Sequence, residues 1–238
     1  MERVVRGFWG PRQESAEALA RRWKQTLDRL AGLLPEACAG KGSEGAWRNV
    51  PSTGPATALR PDEDSLLAAV RAAQAADGWS DRTGTSTQFV AAGTPGWRTE
   101  AGGRAGGTSE FLLQTVVIGI SSPDGAQVPD AALLAAVAEV WEADFGGVSD
   151  DDVLDALEDG GGFAPDEPSV GWIGYLSSAR AALLPDGLTG VRKEVGSQGV
   201  LLDIAAPGDA AEVLRANLGL REAGALRALP RPMDRAAL

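Results

Sequence analysis

The residues whose type and spacing could do chemistry in this chain are carboxylates. The densest group is Ser149-Asp150-Asp151-Asp152, followed by Asp155, Glu158 and Asp159, with Glu139, Glu142 and Asp144 just upstream. Three chemistries suit such a group. A pair of Asp or Glu side chains can hydrolyse glycosides without histidine. Acids alternating around a central Gly and closing on a Glu can hold calcium. An exposed acidic face attracts a cationic partner. The calcium spacing is missing here. Nothing marks one Glu as lying in an apolar pocket beside another acid, so the hydrolase reading stays open without naming its residues. The docking reading also has a plain structural rival. Ser or Asp at a helix N-cap, with acids in the first turn, satisfies free N–H groups and the helix dipole. Capping uses about two of these acids and leaves Glu139, Glu142 and Asp144 unexplained.

The remaining inventory excludes more than it offers. Histidine is absent, which removes the commonest general base, the commonest metal ligand and every Ser–His or Cys–His pair. Cys38 is the only cysteine, so neither an intramolecular disulfide nor a thiolate zinc site can form, and it reads as an inert thiol. Gly102-Gly103-Arg104-Ala105-Gly106-Gly107 superficially resembles a phosphate cradle. A strand follows it instead of a helix, however, and the lysine is lacking. No metal and no cofactor are expected. Of the seven tryptophans, Trp23 and Trp141 lie on apolar helical faces and read as core. Trp47, Trp79 and Trp97 fall in Gly- and Pro-rich stretches, where a ring either plugs a gap or anchors a partner. Trp97 joins the acids as a candidate contact.

Charge is segregated along the chain. The 75 residues between Arg104 and Arg180 hold fourteen acids and no lysine or arginine, within a net charge of −11. The two flanks therefore carry a net +3. This balance opposes nucleic-acid binding, which relies on Lys and Arg to neutralise phosphates, and it disfavours anionic membranes. The acidic stretch is interleaved with Leu, Val, Ile, Trp and Phe, so it is expected to fold. No charged-then-apolar leader opens Met1–Gly10, and no run approaches the roughly 18 apolar residues of a membrane span. The cytoplasm is the expected compartment.

Periodicity places these residues on elements. Val4–Trp9 reads as a strand stopped by Gly10-Pro11. Gln13–Leu34 is a helix on the spacing of Leu19, Trp23, Leu27 and Leu30, ended by Pro35. Residues 40–61 read as a loop, and Asp62–Ala76 as a second helix. Thr83–Ala92 and Phe111–Ile120 read as strands, joined by a Gly-rich loop expected to be mobile or partner-facing, and paired antiparallel with each other. A third helix spans Pro129–Asp144, and Ser149 caps a short acidic one to Asp159. Val170–Leu176 and Gln198–Ala205 are strands, and Asp209–Glu222 is a final helix. The order is not the strict alternation of a parallel doubly wound fold. The expected class is α+β, a largely antiparallel sheet packed with helices. One domain is expected over 1–228, with a frayed tail over 229–238.

Two segments carry a family likeness. Phe8-Trp9-Gly10-Pro11-Arg12-Gln13-Glu14-Ser15, running into a helix with Ala16, Ala20, Arg21 and Trp23, resembles the start of the immunity protein 52 family. Val170-Gly171-Trp172-Ile173-Gly174-Tyr175-Leu176-Ser177 resembles its second marker, and is likewise followed by Leu184-Pro185 and a Gly-Val-Leu-Leu strand. The likeness spans most of the chain and departs at 93–107 and 40–60. It implies a cytoplasmic antitoxin made beside a polymorphic toxin, commonly a nuclease of restriction-endonuclease fold, and no enzymatic residues. It also implies that Arg12, Glu14 and Ser15 organise the first helix, and that Trp172 and Tyr175 pack a strand.

The expected function is therefore a non-enzymatic inhibitor that binds a cognate toxin, a basic nuclease domain, through an acidic surface. The candidate contacts are Glu139, Glu142, Asp144, Asp150, Asp151, Asp152, Asp155, Glu158, Asp159 and Trp97. A carboxylate-based hydrolase and an acidic adaptor for some other basic protein are the alternatives.

Overall fold

The structure is a computed structural model that describes residues 1–35, 47–92, 96–164, 167–185, 191–195 and 199–238. In chain order its elements are β1 (Glu2–Trp9), α1 (Ala16–Leu33), β2 (Trp47–Asn49), β3 (Thr57–Leu59), α2 (Glu63–Gln74), β4 (Thr85–Ala92), β5 (Arg98–Ala105) and β6 (Gln114–Ser121). Then come α3 (Asp130–Trp141), β7 (Phe145–Ser149), α4 (Asp151–Asp155), a π-helical turn (Ala156–Gly160), β8 (Ile173–Ser177), α5 (Ser178–Ala181), β9 (Val191–Val195), β10 (Gly199–Asp203) and α6 (Ala210–Glu222). The strands form one ten-stranded sheet in the order β3-β2-β4-β5-β6-β1-β7-β8-β10-β9. Every pairing in it is antiparallel. The expected α+β class is what the chain adopts.

Alternation in β1 decides which face is covered. Arg3, Val5, Gly7 and Trp9 are buried, whereas Val4, Arg6 and Phe8 between them are only half-buried. On the buried face α1, α2 and α3 pack across the sheet, as the period of two requires of a sheet with one core-facing side. Aromatic rings make the centre of that layer. Trp9 stacks on Trp141 with centroids 5.4 Å apart, and Trp23 meets Trp141 edge-on at 4.9 Å and Phe89 at 5.2 Å. Trp141 Nε1–H donates to Thr26 Oγ1 at 2.9 Å, so its polar atom is satisfied inside the core. Trp47 is also buried, so in this structure it fills the core instead of waiting in a loop.

The two halves of the sheet differ on the opposite face. Phe8 and Phe145 are register partners and stack at 5.0 Å, so Phe145 and Gly147 point away from α3. Gly147 backs directly onto Val170 and Gly171; a Cβ there would lie 2.5 Å from Gly171 N. Asn217 of α6 clamps Val170 from both sides, accepting from its N–H and donating to its carbonyl, each at 2.9 Å. The segment around Val170 and α6 thus covers β7 and β8, whose residues are buried on both faces. From β4 through β1 no described element covers the same face.

Several expectations are corrected. The segment 93–107 is not simply a loop: β5 runs from Arg98 to Ala105 and separates the two strands read as neighbours, β4 and β6. Its Gly102 and Gly103 disguised it, because glycine carries low strand propensity. Glycine is needed there, since a Cβ on Gly103 would run into the Thr115 carbonyl. Residues 93–95 lie outside the described residues. β7 was missed for the same reason, with two glycines in five residues. β2 and β3 were missed because each is only three residues long, and β9 because its middle is Arg192-Lys193-Glu194. Cys38, and the 40–46 part of the expected loop, lie outside the described residues. The tail does not fray: Leu229 and Met233 are buried. Gly10 N–H donates to Ala236 O, and Met233 N–H to Glu110 O, each at 2.8 Å. Apolar side chains at 229 and 233 anchor a segment that its prolines had made look irregular.

Candidate functional site

The candidate acids separate into two groups with opposite surroundings. α3 ends at Glu142, whose φ of 48° is the only positive value at a non-glycine residue among the described ones. A helix end leaves its last carbonyls without partners, and two arginines supply them. Arg12 Nη2 donates to Trp141 O at 2.8 Å, and Arg22 Nη1 donates to Val140 O. The same arginines hold carboxylates. Arg12 Nη1 and Arg22 Nη2 reach Glu142 Oε2 at 3.0 and 2.7 Å, and both also pair with the nearly buried Glu14. Burial lowers the Arg12 pKa, and Glu14 and Glu142 oppose that shift. Glu139 lies 3.3 Å from Arg29. These acids are matched by bases from α1 and its leading loop.

Asp144 is further from solvent still. It and Arg180 have fully buried side chains joined at 2.7 Å. Arg180 Nε–H donates to Asp144 Oδ2 at 2.8 Å, and Arg180 Nη1 donates to the carbonyls of Ala225 and Arg227. Asp144 also accepts from Ser177 Oγ at 2.9 Å and from Leu238 N at 3.1 Å. Arg180 lies 5.0 Å from the Phe145 ring centroid. This is an internal junction between β7, β8 and the tail, so Asp144 is corrected from a docking residue to a core one. The signal available in the sequence was Arg180 itself, the first base after a long acid run.

The second group faces water. Asp150, not Ser149, is the N-cap of α4, and its side chain accepts from Val153 N at 3.0 Å. Asp151, Asp152, Asp155, Glu158 and Asp159 are exposed, and among the described residues none has an ion-pair partner within reach. Val153 and Leu157, between them, are buried. The α4–π-turn ridge is thus pinned by an apolar inner side and presents five carboxylates outward. Capping explains Asp150 and part of Asp151 and Asp152, and it does not explain the other three.

Trp97 is half-buried and packs against the core, so part of the ring plugs a gap. Trp79 is the exposed tryptophan, at 41%. The residues of the two markers do structural work: Ser15 caps α1 by accepting from Ala18 N at 3.2 Å, and Trp172 and Tyr175 are buried in or beside β8.

Carboxylate-pair chemistry requires two acids facing one cavity. A groove of about 780 Å³ between α1, α3 and β9–β10 is lined by Asp28, Asp130, Glu139 and Glu194. Burial raises the Asp130 pKa against the opposing effects of Trp172 and Arg3. Yet Asp130 Oδ2 accepts from Trp172 Nε1–H at 3.0 Å and Oδ1 lies 3.5 Å from Arg3 Nε, so its oxygens are turned to internal partners. Among the described residues, no three Asp, Glu, Cys or His side chains converge as a metal site, and no helix is long and apolar enough to cross a membrane. Compared with protein-family models and with curated proteins, the chain matches none.

Proposed function

We propose that this protein is a stoichiometric inhibitor that binds a basic protein, a cognate toxin of nuclease type, with the outer side of the α4–π-turn ridge as its acidic docking surface. The observation that carries this reading is the contrast within one acidic stretch. Arginines match Glu139, Glu142 and Asp144, while Asp151, Asp152, Asp155, Glu158 and Asp159 stand outward and unmatched among the described residues. A nuclease presents cations to its phosphates, so an unmatched acidic ridge suits its cleft or rim. The likeness to immunity protein 52 supports the same partner class, and the cytoplasm is the compartment that goes with it.

Opposite charges of this kind raise association rates towards roughly 10⁸–10⁹ M⁻¹s⁻¹ at low salt, against about 10⁵–10⁶ for neutral pairs. Durable binding still needs a desolvated centre in an interface on the order of 1,600 Å². The test is co-expression with the product of the neighbouring reading frame, scored by growth and by DNA integrity. Relief of toxicity by the intact protein, lost on reversing the ridge charges, is the expected result. Toxicity that the intact protein does not relieve removes that partner.

A further inference from the structure

β2 stops short of the end of β4. The register ends at Asn49↔Phe89, and Val50 N–H adds one more bond, to Gln88 O at 2.9 Å. On its other edge β4 stays paired with β5 down to Thr85↔Ala105. Along a strand, residues two apart direct N–H and C=O to the same edge, so Ser86 presents both groups on the side where β2 has already ended. Neither has a backbone partner among the described residues. Beside this edge lies a groove of about 510 Å³, lined by Pro51, Ser52 and Thr53 beyond β2, by alanines of α2 such as Ala69 and Ala73, and by Trp79.

Polar and aromatic groups stand on both sides of the Ser86 edge. Towards the helices, Trp79 Nε1–H donates to Thr85 Oγ1 at 3.3 Å, and Gln74 Nε2 donates to the same oxygen at 3.1 Å. The indole is thereby held in place while 41% exposed. Thr87 Oγ1 is buried there without a hydrogen-bond partner. Towards the open face, Arg104 is the register partner of Ser86, with Nε 3.4 Å from Ser86 Oγ. It is exposed and has no carboxylate within ion-pair distance among the described residues. A strand added at Ser86 would stand about 10 Å from β5, a gap that the Arg104 side chain and a facing acidic side chain close together. The groove's other charge, Asp77, is in the turn after α2, on the helix side.

We infer that this groove binds an extended segment of a partner protein by strand addition to the outer edge of β4. Backbone bonds to Ser86 supply affinity, and alternate side chains supply selectivity. An acidic side chain faces Arg104, and a small or aromatic one faces the α2 alanines and Trp79. The site is on the opposite half of the sheet from the acidic ridge and selects the opposite charge, so it stands or falls separately from the proposed toxin docking.

A random heptapeptide library displayed on phage and selected against the full chain tests this. Enriched peptides are then labelled and their binding followed by fluorescence anisotropy. Enriched sequences are expected to lack proline and to carry an acid in alternation with small or aromatic residues. Arg104→Glu, a surface change, is expected to weaken them about tenfold, and replacing the peptide's acid by Lys is expected to restore binding to that variant. Ser86→Pro, which deletes the edge N–H, is expected to abolish binding while leaving the far-ultraviolet spectrum unchanged. Three results would overturn the inference: no enrichment over background, enriched peptides indifferent to Arg104→Glu, or self-association of the chain through this edge.

Discussion

Glu139, Glu142 and Asp144 differ from Asp151, Asp152, Asp155, Glu158 and Asp159 in one respect that their common charge conceals. The upstream acids close structure. Glu142 sits where Arg12 and Arg22 cap the end of α3, and Asp144 holds Arg180 inside the protein. The downstream acids close nothing beyond the first turn of α4. A run of negative charge is therefore not one surface. Fold stability uses the part that meets arginines, and what remains is available to a partner.

The largest effect that could break this comparison is at the buried pair. Arg180→Ala leaves an uncompensated buried carboxylate and is expected to cost about 3–5 kcal/mol, as is Asp144→Ala for the converse reason. Denaturant melts read this, and limited proteolysis is expected to show release of the 225–238 segment. Unchanged stability in Asp144→Ala would return Asp144 to the candidate surface.

The next effect is in the pH dependence. Burial, helped by the negative charges of Asp144 and Glu139, raises the pKa of the single tyrosine, Tyr175, to about 12 from 10.0. A raised phenol pKa means the unfolded chain ionises first. Stability is untouched below pH 10 and is lost as pH rises from 10 towards 12, by up to about 3 kcal/mol. Because no other tyrosine is present, tyrosinate absorbance near 295 nm reports this group alone. Tyr175→Phe is expected to remove that part of the alkaline slope.

Smaller changes separate the two acid groups. Glu142→Ala is expected to lower stability by about 1 kcal/mol, since its carboxylate is half-exposed and its arginines keep the helix carbonyls. Reversing Asp151, Asp152 and Asp155 to Lys forfeits the helix-dipole interaction of Asp151 and Asp152 in the first turn, roughly 0.3–1 kcal/mol at each. It is expected to leave the near-ultraviolet spectrum of the Trp9–Trp23–Trp141 core intact. A large loss of stability there would show that the ridge, too, closes structure.

Periodic hydrophobicity made much of this legible from sequence alone. The spacing of Leu19, Trp23, Leu27 and Leu30 predicts α1, and the short apolar run of Val4–Trp9 stopped by Gly10-Pro11 predicts β1. The α+β class follows from element order. What stayed hidden was hidden for physical reasons. β5 and β7 use glycine where neighbouring backbone approaches closely, which erases the propensity that reveals strands. β2 and β3 are too short to show a period, and β9 is a charged edge strand, the form that protects a sheet edge from further pairing. At the candidate site, the cap at Asp150 was legible to within one residue. The fate of Glu142 and Asp144 was not, because their partners Arg12, Arg22 and Arg180 are 36 to 130 residues away in sequence.

The most direct test of the central claim is the association rate of the protein with the proposed toxin partner, measured by stopped flow across a salt series. For the intact protein the rate is expected to fall steeply as salt rises. For the Asp151, Asp152 and Asp155 to Lys variant it is expected to be at least about tenfold slower at low salt, with a flattened dependence. A folded variant that associates at the rate of the intact protein, with the same salt dependence, would contradict the claim that this ridge docks the partner.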